Sequence, residues 1–372
     1  MPGKTLPDLQ TADEASSFLL SYKMKKPFLL AVGFHKPHIP LKYPKQYDDL
    51  YPLEDIPLPR VRTKPPRMPE VAWNPWNDLR RREDVRSLNL TFPFEPVPDD
   101  FARRIIRSYY SATTYMDDQV GKVIDALEKS GQGNTTAIII LGDHGWSLGE
   151  HGEWAKYSNL DVSLRVPLII TVPWLNHSCG LTVDQPIELL DVFPTIVDIM
   201  ELPTLKLCRP GKSARERVCS EGRSFLPVLE GDALEVQKRA AFSQYPRPGP
   251  VPTKHPNSDQ PSLRQIKIMG YTVRTMTYRY TEWLPFNWKT FRPSWNQVLA
   301  AELYDHEFDP DELNNVVGKT KYREAVKKLK QLLRDQGTIT SSKQTQPPIE
   351  DSGWLQHLLT FTTETLAFFF GK

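Results

Sequence analysis

The apolar positions of the chain follow two different periods, and the change between them divides it in two. Up to about residue 235, short continuous apolar runs alternate with segments whose apolar residues recur every three or four positions. The runs are typical of strands buried on both faces, and the periodic segments of helices that bury one side. Strands are predicted at Phe28–Gly33, Ala137–Leu141 and Val166–Val172, and helices at Asp13–Lys23, Asp99–Leu127 and Asp191–Met200. This alternation predicts an α/β fold, a mostly parallel sheet with helices on both faces.

Beyond residue 235 the pattern changes to a period of two. It is found in Ala240–Tyr245, Ile266–Arg274 and Thr277–Trp283, and a periodic segment follows at Tyr322–Leu333. Alternation of this kind predicts antiparallel strands, here with a helix after them. We therefore expect one domain over residues 1–235 and a small α+β subdomain with an antiparallel sheet over residues 236–340.

Residues 341–372 form a tail whose apolar positions are interrupted by threonine, glutamine and glutamate. The apolar run is shorter than the ~20 residues that a membrane span needs. The tail is predicted to be a disordered or weakly amphipathic extension, with contact to a membrane surface as the alternative. No transmembrane segment is predicted.

Composition limits the class of partner. The 372 residues are 39% apolar and 25% charged, and the net charge is +2. A charge so close to zero excludes a strong electrostatic preference for nucleic acid, although a local basic patch could still bind a polyanion. The 34 prolines indicate long ordered loops, and residues 40–100 are predicted to be such a loop across the functional face.

The segment from Leu141 to Tyr157 holds the densest group of chemically active residues. Asp143 and His144 directly follow a predicted buried strand, and ligands of open α/β sheets bind at such strand ends. Asp143 suits a Ca²⁺ ion, or else caps the following turn. Lys156 could neutralise an anionic oxygen, although isolated lysines are usually solvated.

A second polar group follows the first predicted strand, in His35-Lys-Pro-His38. One of its histidines is expected to face the ligand as a hydrogen-bond donor or general acid. Pro37 and Pro40 stiffen this segment, which favours a preorganised side chain.

Five ordered blocks of the sequence together resemble the sulfatases of the alkaline-phosphatase superfamily. The likeness runs from about Thr5 to about Val317, and it is closest to those sulfatases that act on the 2-O-sulfate of L-iduronate in dermatan sulfate and heparan sulfate. The blocks are Val32–Pro40, Trp73–Trp76, Asp143–Tyr157, Ser243–Pro248 and Ile266–Tyr271. The resemblance implies an alkaline-phosphatase-like fold, a sulfated glycosaminoglycan substrate and a lysosomal location.

The resemblance also implies roles for individual residues. His38 and Lys156 would contact the sulfate and the leaving oxygen, with His35 structural, and Asp143 and His144 would bind Ca²⁺. Histidine is an unusual ligand for so hard a cation, so His144 could instead bond to the nucleophile. From its position after Asp143 and His144, Trp146 could form a wall for the sugar ring, or else be a core residue. Arg247 is a further candidate for contact with the substrate, and His151 is either a supporting residue or an ordinary loop histidine.

One substitution relative to this family bears on the substrate. Sulfatases of this kind carry a lysine for the uronate carboxylate where this chain has Gln260, in Asn257-Ser-Asp-Gln-Pro-Ser262. Glutamine cannot supply the charge that pairs with the carboxylate. Arg247 or Lys267 could take over.

The chain also departs from the family in its nucleophile. None of its three cysteines lies in a Cys-x-Pro-Ser-Arg motif, whose cysteine becomes formylglycine, and the paired aspartates of the family's first strand are missing as well. We therefore expect an amino-terminally incomplete sulfatase that is inactive alone and could be complemented by the missing portion. The alternatives are a non-catalytic isoform that binds sulfated glycans or the full-length enzyme, and an incompletely annotated gene.

The chain has features of a secreted protein, but its first residues do not show the pattern of a signal peptide. Sequons occur at Asn89, Asn134 and Asn176, and the resemblance implies a disulfide between Cys208 and Cys219 that leaves Cys179 over. The alternative is a cytosolic protein with accidental sequons.

Overall fold

The structure is a computed structural model, and it describes residues 5–23, 26–175, 179–208, 218–231, 240–254, 258–340 and 365–371. The α-helices are α1 (Pro7–Ser21), α2 (Asn77–Arg80), α3 (Glu83–Arg86), α4 (Asp99–Lys129), α5 (Asp161–Leu164), α6 (Val192–Ile199), α7 (Leu226–Leu229) and α8 (Arg323–Thr340). The strands are β1 (Phe28–Phe34), β2 (Thr136–Gly142), β3 (Ser147–Leu148), β4 (Trp154–Ala155), β5 (Leu168–Thr171), β6 (Ala241–Arg247), β7 (Ile268–Arg274), β8 (Tyr278–Asn287), β9 (Arg292–Pro293), β10 (Ala300–Asp305) and β11 (Thr365–Gly371).

The first sheet has the strand order β1-β11-β2-β5 and lies between two layers of helices. On one face α1 and α4 pack through Leu19, Val123 and Leu127 against Phe34 of β1 and Phe369 of β11. On the other face, α6 and α7 pack against alternate residues of β2 and of β5. The expected helices on both faces are confirmed for the described residues, and so are the strands predicted around residues 28–33, 137–141 and 166–172.

The expectation of mostly parallel pairing is wrong for the described strands of this sheet. β1 and β2 run in the same direction, but β11 lies between them and is antiparallel to both. β5 is antiparallel to β2 as well. The reason is that β11, which comes much later in the sequence, lies between these two parallel strands and pairs with both.

The same strand corrects the prediction for the tail. Residues 365–371 are not a disordered extension, because all seven pair with β1 on one side and with β2 on the other. Ala367 and Phe369 are almost fully buried. The rest of the tail, residues 341–364 and 372, lies outside the described residues.

The second sheet is antiparallel, as predicted, with the order β10-β8-β7-β6 and β9 paired to β8. Helix α8 covers it through Leu329 and Leu333, which pack against Val273, Tyr280 and Leu303. The expected division at residues 235 and 340 stays a prediction.

The proline-rich stretch 40–100 is ordered and forms a core of its own. Its buried residues include Ile56, Trp73, Trp76 and Val97, and they pack against Ile106 of α4, Trp154 of β4 and Trp283 of β8. This core joins the segment after β2 to the second sheet. None of the helices that the structure describes is long and apolar enough to cross a membrane.

Candidate functional site

The centre of the site is formed by His144, which lies just after the end of β2, and Lys156, which directly follows β4. The imidazole Nδ1 of His144 lies 2.9 Å from the carbonyl oxygen of Gly145, and its Nε2 lies 2.8 Å from the ammonium Nζ of Lys156. A carbonyl oxygen can only accept a hydrogen bond, so Nδ1 carries the proton. Nε2 then accepts from the lysine, and the pair holds the ammonium group at a fixed position.

The electrostatic surroundings keep His144 neutral. Burial lowers the pKa of the ring below its ordinary value, and the positive charge of Lys156 lowers it further, while Asp143 acts in the opposite direction. The Asp143 carboxylate lies 3.7 Å from Nε2 of His144, and another of its oxygens accepts from the His144 backbone amide at 3.0 Å. The positive charge of this cluster is therefore on Lys156.

His38 has the same protonation pattern as His144. Its Nδ1 lies 2.6 Å from the carbonyl oxygen of Ile39. Burial lowers the pKa of the ring, and the charge of Lys156 contributes, which places His38 within electrostatic reach of that lysine. The structure thus brings together His38, Asp143, His144 and Lys156, which the sequence had placed on two separate segments.

The backbone around His38 is fixed by two buried charged residues. The carboxylate of Asp8 accepts from the backbone amides of His35 at 2.5 Å and Lys36 at 3.1 Å. The ammonium of Lys36 donates to the carbonyl oxygens of His38 and Pro40, both at 3.0 Å. These contacts hold the turn after β1 and so preorganise His38.

The segment between His144 and Lys156 is anchored to the core of the 40–100 stretch. The indole nitrogens of Trp73 and Trp76 donate to the carbonyl oxygens of His151 and Gly152, both at 3.0 Å. His151 is itself buried, and its Nε2 contacts the carbonyl oxygen of Asp311 at 2.7 Å. His151 therefore anchors this loop to the segment that follows β10, and its expected supporting role in the site stays a prediction.

Trp146 and Arg247, the two expected substrate contacts, differ in position. The ring centroid of Trp146 lies 5.9 Å from the Lys156 ammonium, and the ring stacks with Tyr109. Arg247 is only 2% exposed. Its guanidinium donates to the carbonyl oxygens of Val71, Ala72, Tyr157 and Pro246. Arg247 joins segments of backbone, and this burial argues against the expected contact with substrate.

Two known protein families match large parts of the chain. The family described as "Sulfatase" matches residues 3–202, and the family described as "N-sulphoglucosamine sulphohydrolase, C-terminal" matches residues 149–338. The chain belongs to the sulfatase family. The match covers His38 and the whole segment from Asp143 to Lys156, so the described site lies within the sulfatase part of the chain.

Relatives of this sulfatase chain include two mammalian enzymes. It is 40% identical to iduronate 2-sulfatase of Mus musculus over 356 residues, which is 87% of this chain and 64% of the relative. It is 41% identical to iduronate 2-sulfatase of Homo sapiens, over 85% of this chain and 63% of the relative. The chain thus spans less than two thirds of the length of these relatives.

A solved structure supports the sulfatase fold. A putative sulfatase from Bacteroides thetaiotaomicron superposes with a TM-score of 0.59 at 20% identity, over 92% of this chain and 66% of that one. The predicted alkaline-phosphatase-like α/β class is confirmed.

The sulfatase family generally uses a divalent metal. Within the described ranges, no three side chains of His, Cys, Asp or Glu converge on one point. Asp143 offers a carboxylate, but the Nε2 lone pair of His144 accepts from Lys156. A metal ion at Nε2 would have to displace the lysine. His144 therefore fits the expected metal role poorly in this arrangement.

Sequence reasoning missed two residues next to the described site. Asp78 bonds to the hydroxyl of Tyr157, and the charge of Lys156 acts on its carboxylate. Tyr157 is the neighbour of Lys156 in sequence, and the side-chain amide of Gln260 donates to its hydroxyl. Asp78 follows the Trp73–Trp76 block by two residues in the sequence. That block was the one sequence signal that could have indicated Asp78.

Two further features of the sulfatase chain are on its surface. The expected disulfide between Cys208 and Cys219 is confirmed, and Cys179 is a free, exposed cysteine. A cavity of about 620 Å³ lies between β5, the loop at residues 181–189 and the start of β6. Neither His144 nor Lys156 lines it, so this cavity is separate from the described site.

Proposed function

We propose that this chain carries part of the active site of a sulfuric ester hydrolase that removes the 2-O-sulfate of L-iduronate in dermatan sulfate and heparan sulfate. The observation that carries the proposal is the Lys156–His144 pair, with 2.8 Å between Nζ and Nε2. It presents a fixed positive charge at a strand end, where an anionic ligand group can be bound. The likeness to mammalian iduronate 2-sulfatases supports the choice of substrate.

Lys156 binds the sulfate group. Its ammonium is held by His144 and lies near the ring of Trp146. A positive charge in such a half-buried position attracts a sulfate oxygen more strongly than in bulk water, because the local dielectric constant is lower. The same charge stabilises the negative charge that develops on the leaving oxygen as the S–O bond breaks.

His38 serves as the proton-transfer group. With its proton on Nδ1 and its pKa lowered, the neutral ring has a lone pair on Nε2. In that form it accepts a proton, and it can donate one to a leaving alcohol only after protonation. The role of general acid is therefore confined to acidic conditions.

Ca²⁺, lysosomal location and N-glycosylation complete the proposal. Of the candidate ligands, Asp143 alone keeps a carboxylate suited to Ca²⁺, and we assign no step of the reaction to the metal or to a formylglycine. Asn89 and Asn134 are exposed, as glycan acceptors must be, and Asn176 lies outside the described residues.

A binding and turnover experiment tests the proposal. The purified chain is titrated with a 2-O-sulfated iduronate disaccharide and with its desulfated counterpart, and fluorogenic iduronate 2-sulfate is assayed in parallel. We expect Lys156→Met to weaken binding of the sulfated ligand by about tenfold or more. Equal binding of the two disaccharides, or binding that is indifferent to Lys156→Met, would refute the proposal.

The turnover assay separates catalysis from binding alone. A non-catalytic glycan-binding role is favoured by the use of the His144 lone pair for Lys156. Lys156-dependent binding without turnover supports that role. Turnover that is lost in Asp143→Ala shows that this chain hydrolyses the ester by itself.

A further inference from the structure

Strand β5 is at the edge of the first sheet in the described part of the chain, and its outer side faces a cavity. It pairs with β2 on its inner side. On the outer side lies the cavity of about 620 Å³, which Leu168 and Ile170 of β5 line. This volume is in the usual range for a binding site. The proposed hydrolysis uses neither β5 nor this cavity.

The register of β5 shows where its backbone groups point. The amide of Gly142 donates to the carbonyl oxygen of Pro167 at 3.2 Å, so these two residues form a hydrogen-bonded pair. In an antiparallel ladder, bonded pairs alternate with pairs that are not bonded to each other. Counted from Pro167, Ile169 falls in a bonded pair with β2, whereas Leu168 and Ile170 do not. The backbone N–H and C=O groups of Leu168 and Ile170 therefore point away from β2.

The outer edge of β5 thus carries two donors and two acceptors. None of the hydrogen bonds found within the described residues involves these four groups of Leu168 and Ile170. Backbone groups of half-buried residues are normally bonded to protein, water or a ligand. Donors and acceptors that alternate along an edge in this way match the backbone of an added strand.

The opposite wall of the cavity is also a sheet edge, but a side chain blocks it. Phe242 of β6 lines the cavity. Its backbone amide donates to the carboxylate of Glu188 at 3.0 Å. An edge that is covered in this way is closed to a further strand. Of the two edges at the cavity, β5 is therefore the one that can accept a strand.

The walls of the cavity decide which side chains such a strand carries. Apolar side chains from the loop at residues 181–189, from α7 with the residue before it, and from β6 line it: Leu181, Val183, Phe225, Val228, Leu229 and Phe242. In an antiparallel pair, residues directly opposite each other direct their side chains to the same face of the sheet. Strand residues bonded to Leu168 and Ile170 therefore direct their side chains toward these apolar walls.

We propose that the cavity binds an extended segment of another polypeptide, which pairs antiparallel with β5 and carries an apolar side chain at every second position. Main-chain hydrogen bonds supply the affinity in this mode of binding, and the apolar walls supply the specificity. β5 has four residues, so about 13 Å of extended peptide pairs with it. The proposal does not depend on the hydrolase activity, because neither His144 nor Lys156 lines the cavity.

Peptides that differ only in the place of their N-methyl groups test the proposal. The probe is a six-residue peptide of alternating threonine and valine with blocked ends. One variant is N-methylated at its valines and the other at its threonines. In the proposed pairing the valine amides donate to β5 and the threonine amides point away. Methylation of the valines should therefore abolish binding, and methylation of the threonines should change the affinity by no more than about twofold.

Hydrogen exchange of single amides, measured by NMR on the full chain, locates the bound peptide. At a peptide concentration of about ten times the dissociation constant, exchange at Leu168 and Ile170 should slow by about tenfold. Exchange at Ile169, which is already bonded to β2, should not change. The proposal is overturned if exchange slows at β6 and not at β5, if no amide of β5 responds, or if the two methylated peptides behave alike.

Two leucine substitutions assign the binding to the cavity. Leu181→Asp places a carboxylate in the apolar wall and should weaken binding of the probe by about fivefold. Leu202→Asp is the matched control, because Leu202 is 54% exposed, compared with 43% for Leu181, and does not line the cavity. The control should leave the affinity unchanged. Equal effects of the two substitutions would refute the proposal, whether or not the chain binds sulfated ligands.

Discussion

At the scale of single residues, the site depends on where two protons lie. Both His38 and His144 place Nδ1 on a backbone carbonyl oxygen, at 2.6 and 2.9 Å. Each ring therefore presents Nε2 to the site, and burial lowers the pKa of both. With both histidines neutral, the positive charge next to His144 is that of Lys156, and an anion that binds there favours the protonated form of the rings.

This arrangement predicts that binding of a sulfated ligand is coupled to proton uptake. An anion near His38 favours the charged ring, so affinity should rise as the pH falls from about 7.5 to about 5. Calorimetry in buffers of different ionisation enthalpy counts the protons taken up. His38→Asn should reduce the number, and an affinity that is flat over this range would contradict the prediction.

The same lowered pKa affects stability in the absence of ligand. Because the pKa of His38 is lower in the folded protein than the ordinary 6.5, the unfolded chain binds the proton more readily. The part of the free energy of unfolding that depends on a neutral His38 is fully present above about pH 6.5. It is lost as the pH falls below that value.

At the scale of elements, the turn after β2 depends on a close approach of two backbone segments. The amide of Gly145 donates to the carbonyl oxygen of Ser163 at 3.0 Å, and a Cβ at residue 145 would overlap the carbonyl oxygen of Val162. The turn that carries His144 and the start of α5 therefore fit together only with glycine here.

Gly145→Ala should displace His144 and weaken ligand binding. We expect a loss of about 1–3 kcal/mol in the free energy of unfolding, the usual cost of overpacking. Gly121→Ala in α4, where no atom lies within 4 Å of the added Cβ, is the control and should gain about 0.5–1 kcal/mol. Urea denaturation measures both, and equal effects would contradict this account of the turn.

A buried charge network joins α5 to the second sheet. Glu312 accepts from the guanidinium of Arg279 at 2.5 Å, contacts His306 at 2.9 Å and accepts from the backbone amide of Asp161 at 2.9 Å. Burial alone would raise the pKa of Glu312, but Arg279 and His306 lower it to about 2. The carboxylate is thus ionised under all ordinary conditions.

Glu312→Gln should lower the free energy of unfolding by about 3–5 kcal/mol, because it leaves Arg279 buried without its closest partner. The network's contribution should persist above about pH 4.5 and be lost as the pH falls toward 2. Asp311→Asn breaks the exposed pair with Arg60 and should cost no more than about 1 kcal/mol. Comparable losses in the two variants would show that the network is not structural.

Local sequence pattern predicted the elements well and their partners poorly. The buried strands, α4 and the chemistry between Asp143 and Lys156 follow from runs and periods within one segment. Arg247 was expected to contact the substrate. The alternating pattern of its strand does not show that backbone from Val71 and Ala72 covers the face on which Arg247 lies. Asp78 was missed because its partner Tyr157 lies far along the chain.

At the scale of the whole molecule, a strand from one end of the chain completes the central sheet. β11 was not foreseen because its three consecutive phenylalanines show no period, and both of its neighbours are distant in sequence. Leu30 and Ile138 pair with Phe369 from either side. The sheet is continuous between β1 and β2 only because this strand is present.

Phe369→Ala should therefore destabilise the whole protein, by about 3–5 kcal/mol for a buried phenylalanine. Leu29→Ala, in β1, removes a side chain that is 64% exposed and should change the free energy of unfolding by less than about 0.5 kcal/mol. Chemical denaturation compares them. A Phe369→Ala protein as stable as the Leu29→Ala control would mean that β11 does not hold the sheet together.

The direction of β11 also decides how the protein can be handled. Thr365 pairs with Phe34 and Gly142 at the end of the strands where the site begins, whereas Gly371 pairs with Phe28 and Thr136 at the opposite end. Seven extended residues separate the two ends by about 20 Å. An affinity tag attached beyond Gly371 leaves the sheet on the side away from Lys156, so a sensor surface that captures the chain by this tag keeps the site open to long glycan chains.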